Sequence, residues 1–242
     1  MTRPDPSVET QIATFAAEMQ AALGDRLRCL VVHGSAAGDD WVAGRSDVNT
    51  ALVLPAVTLD VLEAIAAVVA RWRPRGFALP VVMDDEYLAR AADTFPMELD
   101  DIRRQHRVLA GTDAFAGLTL EPAAIRRECE YEARGKLLRL RALFLETARV
   151  PEALEQLMVE SLKTFLVVLR HLLRLRGVDA AHGYRAVLAA GERALGPLPT
   201  MRRLLDHRAG DRHLRAEALR AEFGAYLAEV ERIVAAIDGV DA

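Results

Sequence analysis

The sequence predicts an α+β protein: a small mixed-sheet domain over residues 1–117, followed by an all-helical bundle domain over residues 118–242. Three observations predict it. Short apolar, strand-like runs alternate with helical periodicity as far as about Gly117, the pattern of helices laid on a small sheet. After Pro122 those runs stop and long 3.6-residue periodicity takes over, as in a bundle. The charge divides at the same place, with 11 basic and 17 acidic residues in 1–117 (net −6) and 20 and 18 in 118–242 (net +2). With 242 residues, 52% hydrophobic and 27% charged, the chain can bury two modest cores, which excludes a disordered chain or an extended coiled coil.

Each element has its own justification. Ser7 can cap a helix running to Leu23, whose apolar face is Ile12, Phe15, Met19 and Leu23 and whose stop is Gly24. Leu27–His33 is a short buried strand halted by Gly34-Ser35. Val48–Leu54 is a second, closed by Pro55. Leu59–Trp72 has helical spacing through Leu62, Ile65, Val68, Val69 and Trp72. Phe77–Met83 is a third apolar strand. Glu86–Ala92 and Pro96–Gln105 are helical, Pro96 standing at a first turn, and Arg107–Ala110 is an edge strand. Beyond the boundary, Ala123–Arg149 and Glu152–Arg176 are long helices parted by Val150-Pro151. Shorter helices follow at Tyr184–Leu195 and Met201–His207, and a last one runs from about Leu214 to Ile237.

Composition narrows the classes. Of 31 basic residues 29 are Arg and only Lys136 and Lys163 are Lys; with Ala also abundant, this reads as base composition rather than as a local phosphate site. The acidic first half argues against general nucleic-acid binding. Cys29 and Cys129, far apart, form neither a disulfide framework nor a zinc site and suit a reducing compartment. The N-terminus lacks the apolar run of a signal peptide, and no apolar stretch reaches membrane-span length. A cytoplasmic protein with no membrane partner is expected, and its apolar helix faces leave a homodimer open.

One constellation carries chemistry. Leu30-Val-Val-His-Gly34-Ser35-Ala-Ala-Gly38 is followed, after a gap, by Ser46-Asp47-Val48-Asn49 entering the second strand. A strand that delivers Gly-Ser into a turn offers backbone N–H groups and a small hydroxyl to a phosphate. Asp47 and Asn49, at i and i+2, point to one face of the next strand. Two oxygen ligands facing a phosphate cradle suit Mg²⁺ bridged to a nucleoside triphosphate.

This pattern resembles the nucleotidyltransferases of the DNA polymerase β superfamily, whose signature is an apolar strand, Gly-Ser, a gap, and Asp-x-Asp/Glu opening a strand. The resemblance covers about residues 25–115. The stretch Phe95–Ile102 through His106–Asp113 is also similar to bacterial members that add a C-terminal helical domain, an architecture shared by aminoglycoside nucleotidyltransferases. It implies that Gly34 and Ser35 hold the triphosphate and that Asp47 and position 49 ligate catalytic metal, with a third carboxylate on a later neighbouring strand.

The sequence departs from that signature in two places. Position 49 is Asn, and Phe77–Met83 contains no acid, Asp84 and Asp85 coming only at its end. Asn supplies a carbonyl oxygen but no charge to offset a triphosphate or fix a second metal. The expectation is a nucleotidyltransferase-like protein with a degenerate site. It binds a nucleoside triphosphate through Gly34, Ser35, Asp47 and Asn49, with Asp47 as the remaining catalytic and metal residue, Mg²⁺ weakly held, and NMP transfer weak or lost. Two alternatives stand beside it: an active enzyme acting on a hydroxyl of an unidentified small-molecule or protein acceptor, and a helical interaction or toxin–antitoxin component that uses the α/β domain as scaffold.

Duller roles compete for several residues. Asp47 can solvate a strand entrance, and Asn49 can make a structural hydrogen bond. His33 reads as a core or rim histidine, Asp39 and Asp40 as a solvated turn, and Asp84 as the N-cap of the helix after it. Glu98, Asp100 and Asp101 read as the polar face of a helix. Arg202…His207 and Arg208…His213 have the Arg–His spacing of some RNA-cleaving toxins, but so abundant an Arg makes the spacing uninformative. Glu160 and Lys163 are explained equally by an i,i+3 ion pair.

Overall fold

A computed structural model describes residues 4–38, 41, 44, 46–178, 183–210 and 215–240, which form two compact units, Met1–Glu121 and Pro122–Ala242. The first unit is built on a four-stranded mixed sheet in the order β3-β2-β1-β4. Strand β1 (Cys29–His33) lies antiparallel to both β2 (Asn49–Leu54) and β4 (His106–Gly111), while β3 (Val81–Asp84) runs parallel to β2. The α+β class expected from the sequence is the class observed.

Both faces of the sheet are covered at its centre, so β1 and β2 are buried on both sides. One face carries Leu30, Val32, Leu52 and Leu54 against α1 (Pro6–Leu23) and α2 (Leu59–Trp72). There Phe15, Trp72 and Phe77 form an aromatic trio with ring centroids 4.8–5.9 Å apart, and Trp72 Nε1 donates to Glu18 at 3.0 Å. The other face carries Cys29, Val31, Ala51, Val53 and Met83 against α3 (Asp85–Ala91) and α4 (Pro96–Arg104).

Local chemistry sets the boundaries, in places not where expected. Helix α1 is capped by Asp5, which accepts from the Ser7 and Val8 N–H groups at 2.8 and 3.0 Å; Ser7, the expected cap, instead donates its hydroxyl to that carboxylate. The third strand is shorter and later than Phe77–Met83: Phe77 makes only an isolated bridge to Val48, and pairing begins at Val81, just past Pro80, which has no N–H to give. Asp84 caps α3 through the Tyr87 N–H at 2.7 Å, as expected.

In the second unit α5 (Pro122–Thr147), α6 (Pro151–Leu175), α7 (Tyr184–Leu195), α8 (Pro199–Ala209) and α9 (Leu219–Asp238) pack around α6. Leu162, Phe165, Leu166, Leu169, Leu172 and Leu173 of α6 are fully buried. Gly191 lets α7 close on α6, since a Cβ there would meet Leu169 Cδ2 at 2.5 Å. Glu229 on α9 is buried and accepts from the N–H groups of Thr200 and Met201 at the start of α8, both at 2.8 Å. No helix among the described residues is long and apolar enough to cross a membrane.

Candidate functional site

The Gly34-Ser35 motif lies at the end of β1. His33 closes the strand in extended backbone, and Gly34, at φ +67°, turns the chain into a single 3-10 turn, Gly34–Ala36. That left-handed conformation favours glycine. The turn is anchored from a distant part of the chain. Gly34 N–H donates to the Gln105 carbonyl at 3.2 Å. Gly38 lies so close to the Gln105 side chain that a Cβ there would collide with its amide. Gln105, the residue that ends α4, thus holds the motif turn at both ends. Nothing in local sequence pattern marked it.

Asn49 and Gly34 meet directly. The antiparallel register sets His33 opposite Asn49 on one side and opposite His106 on the other. A Cβ on Gly34 would sit 3.5 Å from Asn49 Nδ2, so the Asn49 amide packs over the motif glycine. Asn49 and Ser35 are half-buried, whereas Asp47, just before β2, is exposed. Asp39 and Asp40 of the intervening loop lie outside the described residues.

The chain beside Asn49 carries no acid. Ala78 and Leu79 occupy that level, between the Val48–Phe77 bridge and the Ala51–Val81 pair. Asp84 pairs with Leu54 at the opposite end of β2, five residues or roughly 17 Å along the strand. Asp85 is engaged by Arg28 at 2.8 Å. Among the described residues no group of three or more His, Cys, Asp or Glu is placed to hold a metal ion. One exposed carboxylate and an amide do not make a Mg²⁺ site of the two-metal kind.

Charge near the turn comes instead from α4. Burial holds the His33 imidazole down to about 4, against the upward pull of Asp101 and of the Thr50 backbone, with His106 adding to the lowering. His33 is therefore neutral near pH 7. His106 donates Nδ1–H to the Ile102 carbonyl at 2.8 Å, and its Nε2 stands 3.0 Å from Asp113 Oδ2. Burial alone would raise Asp113, but the Phe115 N–H, His106 and the Ala116 N–H together hold it below the usual carboxylate range.

The three acids of α4 do not share one polar face. Asp100 is 1% exposed, its charge met by Arg103 and Arg104 at 2.8 and 2.9 Å. Those arginines follow at i+3 and i+4, which is what permits an acid to sit inside the helix's apolar side. Glu98 borders a cavity of about 110 Å³ lined by Val81, Met83, Tyr87, Phe95, Leu99 and Ile102. That apolar packing, and then Asp101, push its carboxyl above the usual range.

The remaining candidates have structural partners. His207 pairs with Glu155 at 2.8 Å and Arg202 with Glu192, while His213 lies outside the described residues. Glu160 accepts from Gln156 at 2.6 Å. Both cysteines are buried and free, burial pushing the Cys129 thiol up to about 12, so it is no nucleophile.

No protein-family model matches the chain. No curated protein matches it either. Among solved structures it is similar to the crystal structure of spectinomycin adenyltransferase AAD(9) from Enterococcus faecialis with ATP and spectinomycin. The TM-score is 0.57 at 11% identity, over 92% of this chain and 99% of that one. The likeness spans both units, not the motif region alone. The chain therefore shares the α+β fold of this adenyltransferase.

Proposed function

We propose that the chain binds a nucleoside triphosphate at the Gly34-Ser35 turn and that NMP transfer from it is weak or lost. Residues 1–117 form the nucleotidyltransferase-like domain in this reading, and 118–242 the helical domain. The observation that carries it is the left-handed Gly34 turn at the end of β1, packed under Asn49 and tethered by Gln105, in the fold of an adenyltransferase crystallised with ATP.

Gly34 N–H is taken by Gln105. The turn therefore offers phosphate the N–H and hydroxyl of the half-buried Ser35. Asn49, lying over Gly34, presents an amide that can hydrogen-bond a phosphate oxygen, and Asp47 is the single motif carboxylate. Binding survives this donor set because it rests on hydrogen bonds. Transfer is weakened, because among the described residues no cluster of carboxylates is placed to fix the metal ions that would offset the charge building up between attacking and leaving oxygens.

Thermal unfolding with and without nucleotide tests the reading. Ligand at about 100 times its Kd stabilises the folded state by about 2.7 kcal/mol, so millimolar ATP or GTP should raise the melting temperature by several degrees. Ser35→Ala should remove most of that rise, and Asp47→Ala only the part of it that requires Mg²⁺. No nucleotide response in the wild type overturns the proposal. Efficient labelling of an acceptor from α-labelled NTP would retain the site but replace lost chemistry with an active transferase.

A further inference from the structure

Helix α5 carries an exposed apolar stripe that the nucleotide site does not use. Tyr131, Leu138 and Leu145 are 77%, 64% and 82% exposed. They recur every seven residues and so form a line about 21 Å long. Gly135 and Ala142, also exposed, fall between them. The resulting 4-3-4-3 spacing is that of a coiled-coil seam, with large residues at one core position and small ones at the other. The opposite face of the helix buries Cys129, Ala133, Leu137 and Leu140 in its own bundle, so the stripe is not part of that core. One exposed leucine needs no explanation, but three large apolar residues in one line mark a contact surface.

The flanks say what covers it. Arg127, Arg134 and Arg141 run along one edge of the stripe, and Glu132, Arg139 and Glu146 along the other. We propose that α5 pairs in parallel with α5 of a second copy of this chain, through Tyr131, Gly135, Leu138, Ala142 and Leu145. In a parallel pair each residue of the first edge faces the residue five positions later on the second copy. That sets Arg127 against Glu132 and Arg141 against Glu146, both opposite in sign. The third pairing sets Arg134 near Arg139. One member of each pairing also has a partner in its own chain, Glu132 with Lys136 at 2.6 Å, Arg134 with Glu130 and Asp238 at 3.0 and 2.7 Å, and Arg141 with Glu231 at 2.7 Å, part-exposed surface ion pairs that are weak enough to exchange. An antiparallel pair would lay the arginine edge against itself. With two of its three facing pairs opposite in sign, the parallel arrangement with a second copy is the one the edge charges favour.

The seam covers only two heptads with small residues at half its core positions, so the dimer is a weak, concentration-dependent one. Sedimentation of the full chain from about 1 µM to about 500 µM, a range spanning such affinities, should show monomer passing to dimer. Leu138→Glu should raise the dimer dissociation constant about tenfold or more without lowering the melting temperature of the monomer, because Leu138 is exposed. Glu146→Arg should weaken the dimer, and adding Arg141→Glu should restore it. Leu145→Cys reads the direction. A parallel pair sets residue 145 against itself, and oxidation then gives a covalent dimer, while the buried Cys29 and Cys129 contribute no background. A wild type that stays monomeric throughout overturns the proposal, as does a dimer indifferent to Leu138→Glu. Cross-linking of Leu145→Cys only to a Tyr131→Cys chain would also overturn it, since that pairing is antiparallel.

Discussion

His33, half-buried at the end of the motif strand, links the stability of the fold to pH. It ends β1 opposite Asn49 and His106, and burial lowers it from 6.5 to about 4. Between those values the unfolded chain takes up a proton that the native state refuses. The stability linked to His33 is therefore complete above about pH 6.5 and falls as the pH drops towards 4, by up to roughly 3 kcal/mol. Urea unfolding across that range should show His33→Gln losing less stability on acidification than the wild type; parallel pH profiles would contradict the assignment. Gly38 and Gln105 give a second residue-scale outcome. Gly38→Ala drives a methyl into the Gln105 side chain and should cost about 1–3 kcal/mol. Adding Gln105→Ala should recover part of that cost, a coupling readable in a double-mutant cycle. Strict additivity would mean that the two residues do not share the contact.

Elements were legible where local chemistry alone decides them. Helix α2 has the expected bounds, Leu59–Trp72, and α7 the expected Tyr184–Leu195, because apolar periodicity and Gly or Pro stops suffice there. Strand β3 was misplaced because the apolar character of Phe77–Met83 outweighed Pro80, and because Asp84 both ends the strand and caps the next helix. Asp100 was misread for a related reason: its burial depends on two arginines that cancel its charge, which a polar-face pattern does not register. Around the candidate site, Gly34-Ser35 and Asn49 stand out in the sequence because they are neighbours in a motif. Gln105 could not, since its contacts with Gly34 and Gly38 exist only in the folded chain. The α8–α9 junction gives an element-scale prediction. Glu229→Ala leaves the Thr200 and Met201 N–H groups buried without their carboxylate acceptor and removes a negative charge from a helix N-terminus. It should therefore destabilise the chain by about 2–4 kcal/mol in urea unfolding. Glu229→Gln should cost less, and equal costs would mean that the carboxylate charge plays no part.

At the scale of the molecule, each unit has its own buried core, and the fold is that of an adenyltransferase crystallised with ATP. Within that fold this chain carries an amide at position 49, Ala78 and Leu79 beside it, and acids Asp84 and Asp85 at the far end of the strand. The proposed function therefore separates nucleotide binding at the Gly34-Ser35 turn from metal-dependent transfer. Calorimetric titration with ATP, with and without Mg²⁺, tests that separation in the wild type and in Asn49→Asp. The account predicts that the wild type binds ATP with little dependence on Mg²⁺, and that Asn49→Asp, by restoring a second carboxylate beside Asp47, makes binding depend on it about tenfold or more. A wild type that binds no ATP would contradict the account, as would an Asn49→Asp chain whose response to Mg²⁺ is unchanged.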